Sequence, residues 1–125
     1  MKLAPTRTRR IAVAELGRTY LSSERSELRG LMSKLSALVR GPHVAAVVLD
    51  LAGVEDFGAG LVGALIRLHA EAAALGKPVA LCGLSESARG VLRLTKLDRV
   101  WLLGDNRAAA LVAVGGGQAL AAASL

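Results

Sequence analysis

The stretch Val44-Ala45-Ala46-Val47-Val48-Leu49-Asp50 decides how this sequence folds. It is an unbroken apolar run, rich in β-branched valine, that ends at an aspartate. The pair Gly41-Pro42 stands just before it and is expected to end a preceding helix. A short apolar run with this composition favours a buried strand over a helix, which would need a longer segment.

Helical and strand patterns alternate on both sides of this run. Further strands are predicted at 11–14, 79–82 and 100–103, and helices at about 22–38, 60–75, 85–94 and 106–114. Alternation of this kind predicts a single α/β domain with largely parallel strands, because each helix is a crossover between neighbouring strands. Residues 115–125 form a Gly/Ala-rich tail, of which 118–125 is expected to be either helical or loose.

The composition excludes several classes of protein. The chain has 125 residues, the length of one domain, and its 53% hydrophobic content argues against intrinsic disorder. Aromatic residues make up only 2%, which argues against modules that stack single-stranded nucleic acid on several rings. A single cysteine and two histidines provide neither an internal disulfide nor a zinc cluster, so we expect no metal and no cofactor.

No set of residues indicates catalysis, and the protein is not expected to be an enzyme. Cys82 is expected to be a buried hydrophobic residue, His69 to be solvated on a helix, and His43 to lie in a turn. Asp50 is expected to bond loop amides after its strand. Glu55 and Asp56 form an acidic loop tip, either solvated or a contact for a basic partner.

The positive charge is confined to the N-terminal third. The net charge is +6, and residues 1–40 carry the whole excess, whereas residues 41–125 are neutral. Residues 1–10 are interpreted as a solvated basic arm; the alternative, nucleic-acid binding, predicts strongly salt-dependent affinity. No apolar segment of a leader or membrane span is found, so a cytoplasmic location is expected.

Gly58-Ala59-Gly60-Leu61-Val62-Gly63 matches the dinucleotide fingerprint G-x-G-x-x-G. Two details argue against nucleotide binding here. About six loop residues separate the predicted strand from Gly58, and the next strand ends at Leu81-Cys82 without the acidic residue that would bind a ribose. The glycines are instead interpreted as allowing close packing where a loop enters a helix.

Four segments resemble, in chain order, the STAS domain family, the fold of bacterial anti-sigma factor antagonists. They are VVLDLAGV (47–54), GALIRLH (63–69), ALGKPVALCGLS (74–85) and VLRLTKLDRVW (91–101). The resemblance covers residues 44–112 well and residues 8–40 only in pattern, which places a STAS-like domain at 8–114. It also accounts for the loop between Asp50 and Gly58.

This resemblance implies a small mixed β-sheet of about four to five strands with about four packed helices. In the antagonists, the loop and the start of the second helix bind an anti-sigma factor that is a serine kinase. The kinase phosphorylates a serine in a D-S-S-G-like segment, and phosphorylation releases the partner. The resemblance therefore implies a partner-binding surface in this chain made of Asp56, Phe57, Gly58, Ala59, Gly60, Leu61 and Val62.

The chain departs from the family pattern at the phosphorylated position. Alignment places Ala59 where the serine is expected, with Gly58 at the aspartate and Gly60 at the second serine. Because alanine has no oxygen to receive a phosphoryl group, Ala59 is a degenerate phosphosite. Phe57 is either an anchor of the interface or part of the core.

Two functions fit this departure. The first is a protein–protein module of the anti-sigma antagonist type that binds an anti-sigma factor or related regulator without being switched off. The alternative is a STAS subunit or scaffold of another complex, such as a phospholipid-transport system with an ABC ATPase. Neither function requires nucleic acid or a membrane span.

Overall fold

The computed structural model describes residues 10–16, 25–54, 58–115, 118–119 and 123–124. In these residues, four helices alternate along the chain with the strands of a parallel sheet. The elements in chain order are β1 (Arg10–Glu15), α1 (Arg25–Val39), β2 (Val44–Asp50), α2 (Ala59–Ala74), β3 (Val79–Cys82), α3 (Glu86–Leu94), β4 (Leu102–Gly104), α4 (Arg107–Ala113), β5 (Gln118–Ala119) and β6 (Ala123–Ser124). The predicted α/β alternation is confirmed.

The apolar run 44–50 forms the middle strand of the sheet. The strand order is β4-β3-β2-β1-β5, and β6 also pairs with β1. The resemblance implied a mixed sheet, but every pairing between described strands is parallel. The physical reason is that helical crossovers connect β1 to β2, β2 to β3 and β3 to β4, and each crossover returns the chain to the same strand direction.

The two faces of the sheet are covered unequally. Side chains alternate along the strands, so that Ala12, Val47 and Leu49 face a core formed with α1, α2 and α3. Ile11 and Val48 face the opposite side, where they pack with α4. Three helices on one face therefore place α1 and α2 side by side, and their shared surface contains the start of α2.

Side-chain oxygens cap the starts of α3 and α4. The Ser85 side chain accepts a hydrogen bond from the amide of Ala88, and the Asn106 side chain accepts one from Ala109. Ser22, Ser23 and Glu24, predicted to begin the first helix, lie outside the described residues.

Two boundaries differ from the sequence prediction. The last predicted strand was 100–103, but β4 begins at Leu102, and Trp101 is buried in the core just before it. In 118–125, expected to be helical or loose, two short segments instead pair with β1. The side of β1 that faces away from β2 can accept them because its backbone N–H and C=O groups are otherwise unpaired.

Asp50 fixes the start of the loop that leads to α2. Its Oδ1 accepts a hydrogen bond from the amide of Ala52, as predicted, and its Oδ2 accepts one from Nε of Arg107 at 2.8 Å. Gly83 approaches this loop with φ +70, and a Cβ there would lie 2.8 Å from the Ala52 nitrogen. Glycine is therefore required at position 83 for two reasons: the backbone is left-handed there, and a side chain would collide with the backbone of Ala52.

Candidate partner-binding surface

The start of α2 is exposed and has no side-chain cap. Gly58 is the N-cap residue, with an extended backbone at φ −80 and ψ 171 and no side chain that can accept a hydrogen bond. Residues 58–60 are exposed. The first N–H groups of a helix have no intrahelical acceptor, so at this end they remain available to an external acceptor. We call the exposed residues Gly58, Ala59 and Gly60 the α2 start surface.

The structure brings only part of the predicted interface to this surface. Glu55, Asp56 and Phe57 lie outside the described residues. Leu61 was included in the predicted interface, but it is only 2% exposed and packs in the core. Leu61 is buried because it lies on the same face of α2 as Leu65 and Leu68, which pack in the core. Val62 is half-buried against the same core.

Close packing does not explain the glycines at the two ends of the G-x-G-x-x-G pattern. A Cβ built at Gly58 or Gly63 meets nothing within 4 Å, so that interpretation is wrong for both positions. The strand–helix spacing also differs from a dinucleotide site, since β2 ends at Asp50 and α2 begins at Ala59. Gly58 and Gly63 therefore leave open space beside the backbone.

A groove between α1 and α2 begins beside the α2 start surface. Its first concavity has a volume of about 400 Å³, and its lining includes Ala59 and Gly60 at the start of α2, Arg29 and Met32 on α1, and Arg67 farther along α2. Sequence reasoning missed the last three residues because no local pattern shows which helices become neighbours. The only signal was that 60, 63, 64 and 67 share one face of a helix.

The groove continues to an ion pair at its far end. Glu71 on α2 accepts hydrogen bonds from Ser36 Oγ at 3.0 Å and from Arg40 Nε at 2.7 Å. The Ser36 hydrogen bond, together with Arg40, lowers the pKa of Glu71 below its ordinary value of 4.5. The two helices are thus joined at this end by a charged contact.

Cys82 and His69, for which no catalytic role was expected, do not line the groove. Cys82 is 1% exposed, and burial, followed by the nearby Asp50 carboxylate, raises the pKa of its thiol to about 11. His69 was expected to be solvated but is half-buried, with its ring 6.2 Å from that of Trp101 in an edge arrangement. Within the described residues there is no cluster of three potential metal ligands.

Comparison of the sequence with protein families identifies a family to which most of the chain matches. The family described as "Mlab, STAS domain" matches residues 22–104, which is well over half of the chain. No curated protein matches the sequence. No helix within the described part of the chain is long and apolar enough to cross a membrane.

Several solved structures resemble this fold, and three of them are compared with it below. An anti-sigma factor antagonist (STAS) domain protein from Planctomyces limnophilus is 27% identical with a TM-score of 0.70, over 82% of this chain and 88% of that one. A Thermotoga maritima protein, described as an anti-sigma factor antagonist, is 19% identical with a TM-score of 0.68, covering 83% and 86%. The antagonist SpoIIAA in its unphosphorylated form is 13% identical with a TM-score of 0.54, covering 79% and 78%. The last two likenesses concern the fold alone.

Proposed function

Because the chain belongs to the STAS domain family, we propose that it is a noncatalytic protein–protein interaction module of the anti-sigma factor antagonist type. The Planctomyces limnophilus protein of that description supports this choice, since the two are similar over most of both chains. The proposed partner is an anti-sigma factor of the serine-kinase kind, or a related regulator.

The exposed start of α2 is the observation that carries the proposal. Gly58, Ala59 and Gly60 offer backbone N–H groups that no described side chain caps and no side chain larger than a methyl group, so a partner can approach the backbone closely. The open space at Gly58 is not needed for packing within the chain. The absence of a packing role for Gly58 among the described residues supports contact with another molecule.

The proposed contact lacks a phosphorylation switch. Ala59 is the first residue of α2, and residues 58–60 contain no hydroxyl group. A kinase transfers the γ-phosphoryl group of ATP to a side-chain oxygen with loss of that oxygen's proton, and alanine has no such oxygen. We therefore propose that binding is constitutive with respect to this position.

Affinity capture with the tagged full chain tests the proposal. The wild-type chain and Ala59→Asp are used to capture proteins from a lysate of the source organism, which are identified by mass spectrometry. We expect the wild type to retain a kinase-like anti-sigma factor and Ala59→Asp to lose it, because a carboxylate would occupy the contact. The matched control is Ser87→Asp, which adds the same charge to the exposed first turn of α3 and should retain the partner.

Other results would contradict the proposal. Capture of an ABC ATPase instead would favour the alternative, a subunit of a phospholipid-transport system. Micromolar binding of NAD, FAD or ATP that Gly60→Val abolishes would favour nucleotide binding through residues 58–63. Loss of the anti-sigma factor from Ser87→Asp as well as Ala59→Asp would show that the α2 start surface is not the contact.

A further inference from the structure

The α1–α2 groove is long enough to hold a helix. Its first concavity shares Met32 with a second, also about 400 Å³, that reaches Arg40 and Glu71. Along α1 the lining runs from Arg29 to Arg40, and eleven steps at 1.5 Å give a length of roughly 16 Å. Three turns of a helix lying along the groove would match this length.

The side chains that line the α2 wall of the groove are small. Gly60, Gly63 and Ala64 recur at helical spacing, and a Cβ at Gly63 would meet nothing within 4 Å. Glycine inside a helix is less favourable than alanine, and packing in this chain does not require it at 63. Small residues allow the axis of a second helix to approach closely, as in helix packing generally.

The charges that line the groove indicate the charge of the helix that would bind there. Arg29 on α1 and Arg67 on α2 line it from opposite walls, and within the described residues neither forms a salt bridge. By contrast, Arg40 at the far end is neutralised by Glu71. Among the described residues, the end of the groove next to Ala59 therefore carries two positive charges, one on each wall, that no described carboxylate pairs with.

We propose that the α1–α2 groove binds an acidic amphipathic helix of a partner protein. The apolar face of that helix would contact Met32 and the small residues of α2, and its flanking carboxylates would pair with Arg29 and Arg67. This inference rests on the proposed function, because it describes the part of the partner that lies beside the α2 start surface. It adds the chemistry of the bound element.

A synthetic helix tests this directly. The probe is a capped peptide of about 14 residues with leucine and alanine on one face and glutamate on both flanks; a matched peptide carries lysine in place of glutamate. Each is titrated into the ¹⁵N-labelled full chain. We expect the acidic peptide to shift the amide signals of Met32, Gly63 and Arg67, and its affinity to fall as salt rises, because screening weakens the charge pairs. The lysine peptide should bind at least about tenfold more weakly.

Variants locate the binding. Arg67→Glu should weaken the acidic peptide by about tenfold or more, whereas Arg93→Glu, an equal charge change on the exposed surface of α3, should not. Gly63→Leu should block the groove without changing its charge. Equal affinity for the two peptides, signal shifts outside α1 and α2, or no binding by either peptide would each overturn the inference, as would tighter binding of duplex DNA in the same groove.

The outcomes separate this inference from the proposed function. If the captured anti-sigma factor is lost from Ala59→Asp but retained by Arg67→Glu, the proposed function stands and the groove inference fails. If no anti-sigma factor is captured but the acidic peptide binds the groove with the expected charge dependence, the groove inference stands and the proposed function fails.

Discussion

At the scale of single residues, the N-cap Gly58 distinguishes α2 from α3 and α4, the other helices whose N-caps the structure describes. Ser85 and Asn106 cap α3 and α4 through side-chain oxygens, whereas Gly58 has none. Its backbone is extended, a conformation open to any residue, and a Cβ there would meet nothing. The start of α2 therefore lacks the stabilisation that a capping side chain gives to α3 and α4.

Gly58→Asp should raise the free energy of unfolding by about 0.5–1 kcal/mol. The new carboxylate would accept a hydrogen bond from a first-turn amide and interact favourably with the helix dipole. Urea denaturation measures the change. Gly58→Ala, which adds a Cβ but no oxygen, is the control and should give a smaller gain, because it restricts only the unfolded chain; an equal gain from both variants would show that capping is not the cause.

At the scale of elements, α2 and α3 end in the same hydrogen-bonded motif with different residues at its left-handed position. In α2 this residue is Gly76, with φ +70, and in α3 it is Lys96, with φ 61. The amides of Lys77 and Leu97 bond back to the carbonyls of Ala72 and Leu92, which is the Schellman pattern. Gly76-Lys77-Pro78 is a recognisable sequence signal for the end of α2, whereas the lysine at the end of α3 gives no such signal.

Substitutions at the two helix ends should change the free energy of unfolding in opposite directions. Lys96→Gly should stabilise the chain by about 1 kcal/mol, because a side chain in the left-handed region is strained, and Gly76→Ala should destabilise it by about 1 kcal/mol. Both residues are exposed, so packing changes little. Denaturant unfolding of the two variants gives the comparison, and a change of the same sign in both would contradict this account of the helix ends.

The contact between α1 and α2 should be sensitive to acid. The lowered pKa of Glu71 means that its charged form is favoured in the folded chain. Its contribution to stability is fully present above pH 4.5 and is lost as the pH falls through the lowered value. Thermal unfolding of the wild type and Glu71→Gln should therefore differ at neutral pH and converge in acid, whereas a difference independent of pH would contradict the pairing.

At the scale of the whole molecule, the β-sheet was the feature that the sequence predicted best. Side-chain contacts between elements distant in sequence were predicted least well. The run 44–50 predicted the middle strand because burial on both faces leaves a purely apolar pattern. Arg107 illustrates the remainder: its guanidinium pairs with Glu15 and Asp50, which joins α4 to the ends of β1 and β2. Nothing local in the sequence indicates these partners, and the same holds for Arg29 facing Arg67 across the groove.

The buried position of Cys82 should make its thiol a reporter of global unfolding. The thiol lies in β3, and its pKa of about 11 leaves roughly one molecule in a thousand as thiolate at pH 8. Reaction with a disulfide reagent should be at least about 100-fold slower in the native chain than in urea. Rapid reaction of the native chain would contradict the packing described for this face of the sheet.

The central claim is that the start of α2 binds an anti-sigma factor without a phosphorylation switch. The most direct measurement is the affinity of the full chain for the captured anti-sigma factor, before and after incubation of the pair with magnesium and ATP. We predict unchanged affinity and no phosphate on residues 58–60 for the wild type, but phosphorylation and loss of affinity for Ala59→Ser. Release of the wild-type chain through phosphorylation of residues 58–60, or failure of the wild type to bind, would contradict the account.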